Sequence, residues 1–256
     1  MVLLVEVAEH VAIVTLNRPE ARNALSVELS RQLSRAITEL DQRDDVGCMV
    51  LTGADPAFCA GLDLKDLSQE GGSEQQDRLR QPAAHVGILP PHHTPIIGAV
   101  NGSAVTGGLE VALGCDFLIA SERARFADTH ARVGLMPGGG LTIRLPQLVG
   151  VDRARRMSYT GDFVDAATAL AWGLVVEVVP HDELLPRALQ IASAVVSVPD
   201  ANVAEIRRMY DEIGALAGPE AWQVESEWCR RWADERFDRE RLADQREGIM
   251  ARGRAQ

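Results

Sequence analysis

Short runs of β-branched and aliphatic residues, each followed by a stretch of helical spacing, recur along this chain and leave few folds open. Val11-Ala12-Ile13-Val14-Thr15-Leu16 runs into Asn17-Arg18-Pro19, the pattern of a buried strand ending in a turn. Ser26 then stands where an N-cap belongs, and Leu29, Leu33, Ile37 and Leu40 recur on one helical face before the chain turns polar at Asp41. Cys48-Met49-Val50-Leu51-Thr52 reads as another buried strand. The same order returns with Ile96 to Val100, a helix from Gly107 to Leu113, Phe117-Leu118-Ile119-Ala120, and later the run from Leu174 to Val179. Strands alternating with helices in this way predict the α/β class.

Two stretches break the rhythm. Residues 67–94 contain Gly71-Gly72-Ser73, a polar run over 74–80 and Leu89-Pro90-Pro91-His92-His93, which predicts a loop or short surface helix over a pocket. From Asp200 the pattern is wholly helical, with Val203, Ile206, Met209, Tyr210 and Ile213, then Gly218-Pro219 and a second stretch carrying Trp222, Trp228 and Trp232. The expected division is therefore a core over 1–199 and a helical region over 200–256. The tryptophans of that region pack either against another subunit or on its own core.

Composition narrows the class of function. With 256 residues, 46% apolar and 25% charged, the chain can bury a large core, and a net charge of −11 argues against nucleic acid as a partner. The first ten residues, MVLLVEVAEH, have neither the basic start nor the apolar run of a secretion signal, and no stretch is apolar for long enough to span a membrane. A cytoplasmic protein with no membrane insertion is expected. Cys48, Cys59, Cys115 and Cys229 show no CxxC or metal-ligand spacing, so buried reduced thiols are expected and no metal or redox cofactor is implied.

Chemistry points to two glycine-bearing segments. Phe58-Cys59-Ala60-Gly61-Leu62-Asp63-Leu64 follows a predicted strand, and Asn101-Gly102-Ser103-Ala104-Val105-Thr106-Gly107-Gly108-Leu109-Glu110 joins a strand to a helix. Small residues at such junctions let a backbone approach another group closely, and a helix start leaves amides unpaired, which suits an oxyanion. Neither segment fits the GxGxxG or GxxxxGK[ST] phosphate pattern, and each alone is equally compatible with an ordinary tight turn. Glu110 lies one helical turn beyond Gly107. A glutamate there either faces a ligand or simply favours the helix dipole.

Taken together, the two segments closely resemble those of the crotonase (enoyl-CoA hydratase/isomerase) family. Asn17 to Leu25 resembles its opening turn, 126–144 with Pro137-Gly138-Gly139-Gly140 its second active-site segment, and Thr160-Gly161-Asp162 with Gly173-Leu174-Val175 its later helix and strand. The resemblance implies a spiral of repeated strand-strand-helix units with a helical C-terminal region that packs in homotrimers, often paired into hexamers. It further implies an acyl-CoA thioester substrate, with coenzyme A entering only as part of it. An oxyanion hole would come from the Leu62 and Gly107 amides, and CoA contacts from Ala60 and Leu64. Glu110 would be catalytic, because an enolate formed beside a thioester carbonyl needs two preorganised donors and a proton-transfer group next to them.

In two places the chain departs from the family pattern. His130 occupies the position of the second glutamate that hydratases of the family carry, a residue type that exchanges protons near neutral pH but differs from a carboxylate in its pH response. Asp128, two residues earlier, is expected to project to the opposite side if the segment is extended. Near the end, Arg246-Glu247-Gly248 matches the family's Glu-Gly motif, but Arg252 replaces the usual aromatic, leaving Arg252 or Arg254 for any CoA phosphate contact across subunits. The expected reaction is hydration of a 2-enoyl-CoA. One-base double-bond isomerisation and non-catalytic acyl-CoA binding are the alternatives.

Overall fold

In a computed structural model that describes residues 1–63, 88–198 and 200–213, the apolar runs become strands of two sheets. The first sheet contains β1 (Leu3–Ala8), β2 (Val11–Leu16), β3 (Cys48–Gly53), β5 (Ile96–Val100), β7 (Phe117–Ser121) and β10 (Glu177–Val179), in the order β1-β2-β3-β5-β7-β10. Only β1 and β2 are antiparallel; the remaining neighbours run parallel. The second sheet orders β4 (Ala57–Cys59), β6 (Ser103–Val105), β8 (Arg125–Ala127) and β9 (Val164–Asp165) as β4-β6-β8-β9. Thus β3 is followed by β4, β5 by β6 and β7 by β8, one strand in each sheet per turn of the chain. This is the expected spiral of strand-strand-helix units.

Helices close the turns: α1 (Val27–Asp41), α2 (Gly107–Leu113), α3 (His130–Val133), α4 (Leu141–Val149), α5 (Val151–Thr160), α6 (Ala166–Trp172) and α7 (Leu184–Val196). α1 begins where its cap was expected, the Ser26 hydroxyl accepting from the Leu29 amide at 3.1 Å, and it buries Leu29, Leu33, Ile37 and Leu40. Alternation along β3 and β5 serves two cores. Met49, Leu51, Ile96 and Val100 join the main core with α1, whereas Cys48, Val50, Ile97 and Ala99 meet Leu184, Ala188 and Ala192 of α7. Strands buried on both faces read as the continuous apolar runs seen in the sequence. The described cysteines, Cys48, Cys59 and Cys115, are free and buried, and burial pushes the Cys48 and Cys59 thiols up to about 12.

The last described helix, α8 (Asp200–Ile213), begins at the position where the helical pattern was expected to start. The chain divides into two compact units between Ala204 and Glu205, within this helix. Trp222, Trp228, Trp232, Cys229 and the Arg246 to Arg254 segment lie outside the described residues, as does most of the 67–94 segment. Within its described end, Asp41 accepts from the amides of His93 and Thr94 at 2.8 and 2.7 Å, tying the entry to β5 onto the end of α1.

Asn23 fastens the opening turn to the second sheet. Its backbone takes φ 56° and its side chain is fully buried. Its amide nitrogen donates to the carbonyls of Ala54 and Ala57 at 2.8 and 2.6 Å, while its Oδ1 accepts from the Arg18 amide at 2.8 Å. Asn23→Ala would remove three hydrogen bonds to buried or part-buried backbone groups and put alanine in a left-handed conformation, which predicts a loss of about 2 kcal/mol or more. A lowered urea midpoint with an unchanged m-value is the expected readout.

Candidate active site

Two backbone amides meet where the first and second sheets hand the chain to α2. Leu62 forms a parallel bridge with Leu25. In that bridge the Leu25 amide donates to Gly61 O at 2.7 Å and the Asp63 amide to Leu25 O at 3.1 Å. Parallel pairing alternates the direction of successive groups, so the Leu62 N–H faces away from Leu25. Gly61 permits this with φ +95°, and a Cβ there would lie 2.8 Å from Val105 O and 3.4 Å from the Gly107 nitrogen. A Cβ on Gly107 would lie 3.5 Å from the Leu62 nitrogen. The two amides are therefore neighbours, and among the described residues neither donates to a protein acceptor.

Thr106 turns the chain between β6 and α2. Its φ of 54° with ψ of −114° is a conformation that costs a threonine of order 1–3 kcal/mol and persists only when its surroundings hold it. They do so from both sides: Thr106 N donates to Ala127 O at 2.9 Å, its hydroxyl shares a 2.6 Å bond with that of Thr129, and Thr129 N donates to Thr106 Oγ1 at 3.2 Å. With its hydroxyl engaged there, Thr106 does not cap α2. The Gly107 amide is left to face the Leu62 side.

One turn into α2, the Glu110 side chain is 5% exposed. Its Oε1 accepts from the Gly139 amide at 2.7 Å. Burial raises its carboxyl above the ordinary range, against the opposing effects of the Gly139 amide, His130 and the Leu141 amide. Gly139 is needed for this contact, because a Cβ there would sit 2.9 Å from the Glu110 carboxyl carbon. Across from Glu110 stands His130, the first residue of α3, with Nε2 at 3.9 Å from Glu110 Oε2. Its Nδ1 lies 2.7 Å from Asp128 Oδ1, and its backbone amide donates to the same oxygen at 3.2 Å.

Asp128 thus corrects an expectation. It does not project away from His130; it bonds to it. The expectation misread the strand period, since residues two apart share a face of an extended chain; here Thr129 adopts φ −103° and ψ 13° and starts α3, and Asp128 and His130 meet across that turn. Burial works against the Asp128 charge, but hydrogen bonds from His130 and the Ser158 hydroxyl outweigh it and hold the carboxyl below its usual range.

Of the positions named from sequence, Leu62 and Gly107 come together, as do Glu110 and His130. Ala60 ends the second-sheet passage beside them, its amide donating to Arg22 O at 3.0 Å. Leu64 lies outside the described residues. Next to it in sequence, Asp63 pairs with Arg18 at 2.9 Å. Sequence reading missed the Gly139 contact, of which the glycine run at 138–140 was the visible sign, and the Thr106–Thr129 brace, which had none.

Comparison with known proteins agrees with this architecture. The family model described as enoyl-CoA hydratase/isomerase matches residues 6–243. A putative enoyl-CoA hydratase/isomerase of Bacillus subtilis is 42% identical over 191 residues, covering 73% of this chain and 72% of that protein. The crystal structure of an enoyl-CoA hydratase from Mycobacterium tuberculosis H37Rv is 47% identical, with a TM-score of 0.76 over 90% of this chain and 97% of that one. An enoyl-CoA hydratase from Bacillus anthracis reaches a TM-score of 0.84 at 31% identity, over 100% of this chain and 97% of its own. With its spiral of paired sheets and a sequence match running through nearly its whole length, the chain belongs to the enoyl-CoA hydratase/isomerase family.

Proposed function

We infer that the protein hydrates 2-enoyl-CoA thioesters, placing water across the C2–C3 double bond. The observation that carries this reading is the 3.9 Å separation of Glu110 Oε2 from His130 Nε2. That gap is too long for a direct hydrogen bond and suited to one bridging oxygen. A water held there touches two proton-exchanging groups, which is what adding OH to one carbon and H to its neighbour requires. Isomerisation would need Glu110 alone. A binding protein would have no use for a buried acid and imidazole facing each other, since burying them costs stability.

The thioester carbonyl would accept from the Leu62 and Gly107 amides, each such donor being worth about 3 kcal/mol to a developing enolate. Ala60 and Leu64 would meet the CoA moiety, and coenzyme A enters only with the substrate, with no separate cofactor. A cytoplasmic setting goes with this reading, supported by the three free buried thiols. The family's assembly into homotrimers or hexamers is part of the same proposal. On α8, Ile206 and Tyr210 are 53% and 78% exposed, apolar surface that subunit packing would cover.

Hydration is read as loss of the conjugated thioester absorbance. Glu110→Gln should lower kcat roughly 10²- to 10⁴-fold while acyl-CoA binding is retained; a fully active variant removes Glu110 from the reaction. The same substitution has a stability signature. Because the folded protein favours the protonated carboxyl, the Glu110 contribution is fully present below its unfolded value and lost as pH rises through the folded one. Above that window Glu110→Gln should unfold at higher urea concentration than the parent, and the difference should shrink on acidification. Sedimentation equilibrium should return three or six times the chain mass, and a monomer would reject the assembly proposal.

A further inference from the structure

A second carboxylate lies behind the imidazole, on the side away from Glu110. Asp128 is 1% exposed at its side chain, His130 4%, so neither group is solvated and the ring's two nitrogens are distinguished by what they face. Nδ1 faces Asp128 Oδ1 at 2.7 Å, and Nε2 faces Glu110 Oε2 at 3.9 Å. A carboxylate is acceptor-only, so the short contact requires a proton on Nδ1. We propose that Asp128 is a positioning residue: by taking the Nδ1 proton of His130 in a hydrogen bond, it leaves the Nε2 lone pair facing the water, and so makes His130 the group that accepts the water's proton.

This inference rests on the hydration reading and assigns its proton path. As the water oxygen bonds to C3, its proton passes to Nε2. The C2–C3 π electrons move into the thioester carbonyl as an enolate, and the Glu110 carboxyl delivers its proton to C2 as the carbonyl re-forms. The Nε2 proton then returns to the Glu110 carboxylate. One water is added and both side chains are restored. A carboxylate fixed behind an imidazole stabilises the ring when it becomes cationic, as in the serine hydrolase arrangement, where it does not itself take the proton.

The surroundings keep the assignment simple. Among the described residues, the titratable groups facing the ring are Glu110 from α2 and Asp128 from the turn before α3, while α5 contributes the Ser158 hydroxyl to Asp128. Arg132, on the same short helix as His130, turns outward to Thr160 O and Asp162. Asp128 Oδ1 also receives the His130 backbone amide at 3.2 Å, so the carboxylate is anchored to the residue it orients.

The test combines spectroscopy with kinetics. In the ¹⁵N spectrum of histidine-labelled protein, the neutral His130 ring, assigned by its loss in His130→Gln, should show a protonated Nδ1 and an unprotonated Nε2. The opposite tautomer overturns the proposal, and this measurement on the wild-type ring does not depend on an Asp128 variant folding. Asp128→Asn should lower kcat roughly 10²-fold or more with little change in KM. It should also move the acid limb of the kcat/KM profile to lower pH, since the protonated ring loses its carboxylate; Asp128→Glu should restore part of the rate. Unchanged kcat and an unmoved limb in Asp128→Asn overturn the proposal. A wild-type protein inactive on every enoyl thioester sinks the hydration reading and its proton path, while the tautomer separately decides whether Asp128 orients His130.

Discussion

Glu110, Asp128 and His130 are buried together, and the need to satisfy them organises this site. A carboxyl withdrawn from water without partners would be strongly destabilising. Glu110 is therefore met by the Gly139 amide and faces His130, and Asp128 is met by the His130 ring, the His130 amide and Ser158. Each contact draws in a different element: α2, the turn before α3, the glycine run before α4, and α5. Removing one member leaves the others buried and short of a partner, so the cluster acts as a unit.

Backbone geometry makes a second, independent contribution. The Leu62 amide is aimed by the bridge with Leu25 and by the left-handed Gly61, and the Gly107 amide by the strained Thr106. None of this depends on the side chain at residue 62. Donors fixed by the fold need not reorganise when charge develops, which is what the proposed oxyanion hole would gain from main-chain amides. Asn23 supports the same region from beneath by holding the opening turn to the carbonyls around β4.

Local pattern made the longer elements legible. β2, β5 and α2 have the limits read from the sequence, and α1 starts at its predicted cap, because a run of five or more apolar residues or a helical stripe carries its own period. The three-residue strands β4, β6 and β8 and the two-residue β9 were not anticipated. They are too short to show alternation and exist because the spiral sets them side by side. β1 escaped as well: at the sheet edge most of its residues are exposed, so burial did not shape its composition.

The sequence by itself determined the α/β class, the resemblance to the enoyl-CoA hydratase/isomerase family and the identity of the residues at the candidate site, including a histidine where a second glutamate was expected. Those are matters of residue type and order, which a chain displays without being folded. Only the tertiary structure decided what the histidine faces. Two residues apart, Asp128 and His130 would share a face even of an extended strand, but their 2.7 Å contact is made across the turn at Thr129, which Thr106 braces from another strand-helix junction. Contacts between segments separated in sequence fix that turn and set Glu110 against the other nitrogen of the ring, an approach that no local period could have announced.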